Sequence, residues 1–405
     1  MEKKFKVGIL RENRISPDQR VALPPQQCVE ALRRFPNIEF VIQPSEIRAY
    51  SNEEYTNLGF TLQENLEDCD ILIGVKEVDD NFMIPNKSYL FFSHTAKKQQ
   101  HNRKILQGAI KKNLTLIDYE FLTDKQGIRL IAFGRWAGII GSYNALIAYG
   151  KRNNLYDLKR AYLCFDMTEF YGEVSKVKLP PIKILISGGG RVSHGAMEVL
   201  DFLKIKKVTP HQFLSQTFNT PVYSQIDPWH YLKRKDNEAF DWTHFSKHPN
   251  EYESIFEPFA KVTDIYLPCH FWDPRSPKLV TKAMMKSPDF KIKVIADISC
   301  DVNGSVESTT RTTSIADPFF GYNPMTENEG AAFHEGNITV MSVDNLPGEA
   351  SRSASVDFGK TLIGKILPSL FEEDKEEIIQ RATIVKNGKL TPQFAYLQNF
   401  ADEKE

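Results

Sequence analysis

The sequence predicts an α/β protein made of two Rossmann-like doubly wound parallel-sheet domains separated by a cleft, the first domain discontinuous. Three observations predict it. Short apolar runs alternate with helical patterns through residues 1–130, the signature of a parallel sheet flanked by helices. The stretch IKILISGGGRVSHGAMEVLDFL, Ile182 to Leu203, reads as strand, glycine turn and helix. Glu349 to Leu370 reads as one helix that returns to the first domain, with Ala382–Val385 and Pro392–Leu397 completing it. The predicted division is 1–135 plus 345–405 as a substrate domain and 136–344 as a dinucleotide-binding domain.

Composition limits the function classes. A chain of 405 residues is long for one core and implies two or three domains. Hydrophobic residues at 41% and charged residues at 25% are those of a water-soluble globular protein. Lys plus Arg is 51 and Asp plus Glu is 52, so a net charge of −1 makes no electrostatic case for nucleic acid or an anionic membrane. The partners implied are small molecules, and an oligomer is compatible with all of this. Cys28, Cys69, Cys164, Cys269 and Cys300 are scattered, form no C-x-x-C pair and fit a reducing compartment. The start, MEKK running into KVGIL, has no leader-like pattern, and no apolar run approaches the ~20 residues that span a bilayer. The expected location is the cytoplasm.

In the first domain the predicted strands are Phe5–Leu10, Phe40–Ile42, Ile71–Val75, Leu90–Phe92 and Leu114–Ile117, with Leu130–Phe133 as a further one. Pro24 and Pro25 open a helix at positions where a missing N–H costs nothing, and Gln99–Ala109 reads as another. The residues just past the strands carry the chemistry: Arg11–Glu12, Lys76–Glu77, His94, and Asp118–Tyr119–Glu120. In an open α/β sheet ligands gather outside the carboxyl ends of the strands, so this recurrence places Arg, Lys, His and Glu along one edge. Any one of them alone reads equally well as a solvated turn. Trp136–Gly150 then reads as a buried small-residue helix, in which Gly138 and Gly141 permit close approach by a neighbouring helix or by a cofactor.

The second domain is built on Gly188, Gly189 and Gly190. A helix opened by a glycine turn points unpaired N–H groups and its positive dipole end at whatever lies in front, and a pyrophosphate suits both. An ordinary β–α turn uses the same residues. The cofactor set assigned is Gly188, Gly190, Arg191, Val192, Ser193, His211, Asn345 and Leu346. Lys207–Val208–Thr209 is the expected second strand, ending at Pro210–His211. An NAD site usually carries a carboxylate about 20 residues past the turn to accept from the ribose 2′-OH. No acid occurs between Asp201 and Asp227, so NADP(H) is favoured with NAD(H) admissible, and Arg191 and His211 are the candidate partners of a 2′-phosphate. Phe213–Val262 reads as an irregular aromatic insertion whose His230, His244 and His248 match no metal spacing. Further core strands are predicted at Ile265–Leu267, Val294–Ile298 and Ile338–Ser342, with Asp297 and Asp301 at the end of the second and Asp344–Asn345–Leu346–Pro347 at the end of the third.

Several motifs, taken in order, carry a resemblance. They are ILIGVKE around Lys76, FFSHT around His94, LIDYEFL around Glu120, GIRLIAFGRWAG, GGGRVSHGA, VTPHQF, DISCDVNGSVE, DPFFGYNP and SVDNLP. Over nearly its whole length the chain resembles the lysine–2-oxoglutarate reductase part of the bifunctional aminoadipate-semialdehyde synthases and the saccharopine dehydrogenases that release lysine. More distantly it is similar to alanine dehydrogenase and the soluble part of nicotinamide nucleotide transhydrogenase. By that resemblance Lys76 and His94 match the pair that shuttles protons during imine formation and breakdown. Arg20, in QRVALPP, matches an arginine that holds a substrate carboxylate. Glu77 and Glu120 match acids that tune the pair, and Asp301 an aspartate near the nicotinamide end; Arg129 joins the substrate-binding set. Glu77 and Glu120 also read as plain ion-pair partners of Arg20 or Arg129.

The chemistry implied is reductive condensation of an amine with a 2-oxo acid, which needs protons both delivered and removed. A histidine titrating near neutrality and a lysine with an adjustable pKa suit that traffic, and arginines orient carboxylates. Two departures stand out. Ser193 occupies a position usually held by glycine, implying a helix slightly further from its sheet, and the sequence carries no second, saccharopine-consuming domain. Rival readings are an alanine-type amino-acid dehydrogenase and a cofactor-binding regulatory protein without turnover.

Overall fold

The computed structural model describes residues 4–12 and 18–404; part of the MEKK start lies outside them. The chain divides into two compact units, Met1–Phe133 with Ser351–Glu405, and Gly134–Ala350.

In chain order the first unit opens with β1 (Phe5–Ile9), β2 (Ile38–Ile42), β3 (Thr61–Leu62), β4 (Ile71–Ile73), β5 (Ser88–Phe91) and β6 (Thr115–Asp118). The second unit supplies β7 (Lys183–Ser187), β8 (Lys206–Lys207), β9 (Val222–Ile226), β10 (Leu232–Arg234), β11 (Tyr252–Ser254), β12 (Ile265–Pro268), β13 (Val294–Ala296), β14 (Phe319–Tyr322), β15 (Glu329–Gly330) and β16 (Ile338–Met341). The chain then returns to the first unit with β17 (Thr383–Lys386) and β18 (Lys389–Leu390).

The first unit is one eight-stranded sheet in the order β18-β17-β6-β5-β4-β1-β2-β3. The strands from β1 to β6 are parallel, and β17 adds to β6 antiparallel. Val7, Ile9, Leu72, Ile73, Leu90, Phe91 and Leu116 are fully buried in it. That explains why these strands read as continuous apolar runs, since a parallel sheet is covered on both faces. Chain order reverses at β1, flanked by β2 and β4, and such a switch point opens a crevice at the strand ends. Leu130–Phe133 is not a strand; an isolated bridge from Thr123 to Arg129 is all that forms there, and the place beside β6 goes to β17.

The helix after Pro24 runs from Pro25 to Arg34 as expected, whereas the second starts later than predicted, at Arg103, after a short 3-10 turn. The returning segment is not one helix. Ser351–Thr361 is α-helical, Leu362–Ile366 widens into a π-turn, and Leu367–Phe371 resumes. Pro368 is the cause, because it has no N–H to donate and its ring crowds the carbonyl one turn back.

The second unit is also an eight-stranded sheet, β15-β14-β16-β13-β12-β7-β9-β8, parallel except for β14 and β15. Its main correction to the sequence reading concerns the aromatic insertion. Val222–Ile226 lies inside it yet is a core strand, paired in parallel along the whole of β7. The expected strand after the glycine helix shrinks to Lys206–Lys207, an exposed edge pair that reaches only β9. The remaining insertion folds as the small β10–β11 hairpin with an aromatic cluster of Trp229, Phe240, Trp242, Phe245 and Tyr252. Gly134–Arg152 is a helix buried on nearly all sides, as its lack of a polar face demands. Gly138 and Gly141 serve packing: a Cβ on Gly138 would collide with the carbonyl oxygen of Val192, and one on Gly141 with Ile298.

Candidate functional site

In the first unit the ends of four adjacent strands, β6, β5, β4 and β1, bring the polar side chains together. Lys76 and Glu77 follow β4, His94 follows β5, and Glu120 follows β6. Glu77 Oε1 and His94 Nδ1 form a direct pair with both side chains mostly buried. The His94 ring stacks on Phe92 at 6.0 Å, and its backbone sits in the left-handed region at φ 51°. That conformation is uncommon outside glycine and is held only where neighbours fix it.

Glu120 is buried, receives Lys97 Nζ at 3.0 Å and Arg129 Nη2 at 3.2 Å, and its backbone carbonyl accepts from Arg129 Nε. The plain ion-pair reading therefore holds for Glu120 with Arg129, while Glu77 is the partner of His94 rather than of Arg20. Arg20 is 2% exposed; its Nε donates to Asp18 Oδ1 at 2.9 Å, and its guanidinium lies 4.3 Å over the Phe133 ring. Arg20 holds the Asp18 carboxyl well below the usual range, with Lys76 adding to the effect. A substrate carboxylate at Arg20 would share the guanidinium with Asp18.

Arg11 donates to both Glu64 oxygens, at 2.8 and 2.6 Å, and lines the same cavity as Glu12, Lys76 and Glu77, as its place past the strand end implies. Glu12 turns inward and accepts from the N–H groups of Val75 and Lys76, both at 2.8 Å. Burial pushes its carboxyl up to about 8. A cavity of about 270 Å³ opens beside Glu12, Lys76 and Glu77.

In the second unit the glycine turn follows β7. Gly188 has φ 101°, and a Cβ there would press on the backbone of Cys269 and His270 at 2.9 Å. Gly190 caps the Arg191–Phe202 helix, and nothing would meet a Cβ on it within 4 Å, so the space before the helix is open. Ser193 does not hold this helix away: it is fully buried and its hydroxyl donates to Gly190 O at 2.8 Å. Close approach instead falls to Gly195, where a Cβ would collide with Arg135 O.

The residue missed is Asp227. It directly follows β9, the strand beside β7, and a Cβ on Gly189 would collide with its carboxylate. His211 is exposed on a short helix beyond β8, so one strand separates its element from the glycine turn, contrary to the expectation that it flanks the turn. No composition signal marked Asp227, because VYSQI is neither a continuous apolar run nor an alternating one and stands 34 residues past Gly188 rather than 20.

Asp301 is exposed beyond β13, on a loop with Cys300 at φ 51°. Asn345 and Leu346 follow β16 and are both buried; the Leu346 side chain packs toward Gly141, so only its backbone is left to meet a ligand. His270, at the end of β12, was also missed. It bridges Ser187 Oγ at 2.7 Å and Ser305 Oγ at 3.0 Å, and burial lowers its pKa to about 4, so it braces the turn as a neutral ring. Between the turn and the insertion lies a cavity of about 380 Å³ lined by Gly190, Tyr231, Trp242, Phe245 and Trp272. Its open glycine end, apolar walls and neighbouring carboxylate fit a dinucleotide.

Among the described residues there is no group of three or more metal-ligating side chains and no helix long and apolar enough to cross a membrane.

The chain is similar to known proteins in sequence and in fold. Residues 8–140 match the family described as alanine dehydrogenase/PNT, N-terminal domain. A solved L-alanine dehydrogenase superposes with a TM-score of 0.64, covering 99% of this chain and 100% of its own at 15% identity, which speaks to fold alone. The α/β architecture is thus that of the alanine dehydrogenase and transhydrogenase class. Among sequence relatives, the alpha-aminoadipic semialdehyde synthase of Arabidopsis thaliana is 29% identical over 96% of this chain and 41% of its own length. The lysine-forming, NAD(+) saccharopine dehydrogenase of Schizosaccharomyces pombe is 26% identical over 90% of this chain and 93% of its own. Within the class, the chain is similar over most of its length to these synthases and to the lysine-forming saccharopine dehydrogenases. It spans less than half the length of the plant and mammalian synthases it matches.

Proposed function

We propose that this chain is an oxidoreductase acting on CH–NH bonds, joining the ε-amine of lysine to 2-oxoglutarate to give saccharopine, or running the reverse, with NAD(H). The observation that carries the reading is the Glu77–His94 pair beside Lys76 at adjoining strand ends. The first unit is the substrate domain and the second the dinucleotide domain. In the condensing direction the neutral amine attacks the 2-oxo carbonyl. The nitrogen gives up one proton as the carbinolamine forms, the former carbonyl oxygen takes up two in turn, and water departs to leave a protonated imine for the hydride. Lys76 and His94 relay these protons, with Glu77 balancing the imidazolium charge through Nδ1 and leaving Nε2 for the substrate. Arg20 and Arg129 orient substrate carboxylates, Arg129 also carrying Glu120. A bound nicotinamide would supply the hydride that reduces the imine, and Asp301 lies on the loop assigned to that end.

Gly188, Gly190, Arg191, Val192 and Ser193 would hold the pyrophosphate, with the backbone of Asn345 and Leu346 nearer the nicotinamide. The preference for NADP(H) drawn from the missing acid is reversed here. A carboxylate beside Gly189 favours a ribose 2′-OH, from which it accepts, and repels a 2′-phosphate. The name of the fission-yeast relative, which specifies NAD(+) and lysine formation, agrees.

An absorbance assay of nucleotide oxidation tests both parts. Lysine plus 2-oxoglutarate should be turned over with NADH at least about tenfold better in kcat/KM than with NADPH, and Asp227→Ser should narrow that ratio. Turnover of pyruvate plus ammonia alone would sink the substrate assignment, and equal use of both nucleotides would sink the role of Asp227.

A further inference from the structure

Two buried carboxylates stand on either side of the Lys76–Glu77–His94 group. Asp118 ends β6 and is fully buried. Its Oδ2 accepts from Ser93 N at 3.1 Å and Ser93 Oγ at 2.5 Å, and its Oδ1 accepts from Glu120 N at 2.8 Å. Ser93 Oγ in turn lies 2.9 Å from Thr95 Oγ1 and accepts from Thr95 N at 3.3 Å. Both residues flanking His94 are thus tied, directly or through one hydroxyl, to one carboxylate. His94 between them is held at a positive φ that a histidine does not adopt by preference. Glu12, beyond the end of β1, makes the matching arrangement: one oxygen takes Val75 N and the other takes Lys76 N.

The strand order gives the pair its meaning. In β6-β5-β4-β1, the inner strands β5 and β4 deliver His94 and Lys76, and the outer strands β6 and β1 deliver Asp118 and Glu12. Each outer strand grips the loop of its inner neighbour, and the Glu77–His94 pair joins the two inner loops. A carboxyl suits this task, because in its ionised form it offers two acceptor oxygens and no donor against several N–H and O–H groups, whereas an amide always turns an NH₂ toward one side. We propose that Asp118 and Glu12 are positioning residues, which fix His94 and Lys76 in the geometry that proton transfer requires. Neither reaches the reacting atoms.

Burial works against both groups, raising the Asp118 and Glu12 carboxyls, and the backbone donors offset part of that cost. The charged and titratable groups facing them are His94, Glu120 and Tyr119 for Asp118, and Asp18, Arg20, Lys76 and Tyr119 for Glu12. The inference rests on the reading of Lys76 and His94 as the proton-transfer pair, so its test includes a measurement that needs no turnover.

The variants are Asp118→Asn and Glu12→Gln in the full chain, with Ser93→Ala as a milder break in the same link should Asp118→Asn fold poorly. Each should lower kcat by about 10- to 100-fold, the scale of a sub-ångström to ångström displacement of an acting group, and should displace a limb of the pH–rate profile. Nucleotide affinity, a property of the second unit, should stay within about twofold. In parallel, NMR titration of the His94 ring should shift in Asp118→Asn and Ser93→Ala relative to the unsubstituted protein. Loss of activity that merely tracks the folded fraction, with profile and His94 titration unmoved, overturns the proposal. If the unsubstituted protein turns over no amine and oxo-acid pair, the functional reading fails on its own, and the His94 titration still decides whether Asp118 governs that ring.

Discussion

At the scale of single residues, carboxylates are the most informative groups in this chain, and burial makes their titration visible. Asp297 ends β13 fully buried, accepting from Ser299 Oγ and Thr309 Oγ1 at 2.6 Å each. Desolvation raises its carboxyl to about 6 despite those donors. A raised folded-state value means that the folded protein binds this proton more tightly than the unfolded chain. The associated stability is complete below the unfolded value near 3.8 and is lost as pH climbs through about 6. Asp297→Asn should remove that dependence, since both hydroxyls can rotate to meet an amide. Urea unfolding of the two proteins should therefore converge toward low pH and separate between about pH 4 and 6 by up to about 3 kcal/mol. Parallel curves would show that Asp297 does not titrate in this window.

Among elements, the crossing of the Gly134–Arg152 and Arg191–Phe202 helices positions the glycine turn. Gly138 and Gly195 let backbone meet backbone, with the Val192 and Arg135 carbonyl oxygens each filling the place of a Cβ. No side chain at either place can rotate away, so relief requires the helices to part. Gly138→Ala should cost roughly 1–3 kcal/mol or more of stability. It should also weaken nucleotide binding, because Val192 belongs to the first turn of the helix proposed to hold the pyrophosphate. Thermal unfolding and a fluorescence titration with NADH measure the two effects, and a neutral result in both would dismiss the close packing. The small-residue pattern of this helix was legible in sequence, and so was its burial. Whether the glycines served a helix or a ligand was not, because both need the same missing Cβ.

For the whole molecule, the discontinuity of the first unit has a direct consequence. The returning segment is woven into its core: Val21 N donates to Ser355 Oγ at 2.9 Å, Gln27 Nε2 to Val356 O at 2.8 Å, Phe371 packs on Phe5 and Phe35, and β17 covers the edge of β6. A chain ended after Ala350 loses all of these and exposes β6 as an unpaired edge, while residues 134–350 stay complete. Hydrogen exchange should show the first unit unprotected and the second protected, with NADH still bound. Protection retained in residues 4–133 would mean that the first unit needs no return.

By itself the sequence determined the fold class, the parallel runs, the glycine turn and the strand-end positions of Lys76, Glu77, His94 and Glu120, because each is written locally: apolar runs in β4, β5 and β6, and polar residues immediately after them. Only the tertiary structure decided neighbours. Asp227 flanks the turn and His211 does not, since β9, not β8, lies beside β7, and strand order is set by packing rather than by distance along the chain. Glu12 and Asp118 were visible as strand-end acids, but what they hold depends on which strands adjoin. The proposed preference for NAD(H) rests on that one point: a ribose would meet the residue at the next strand's end, whichever segment the chain uses to supply it.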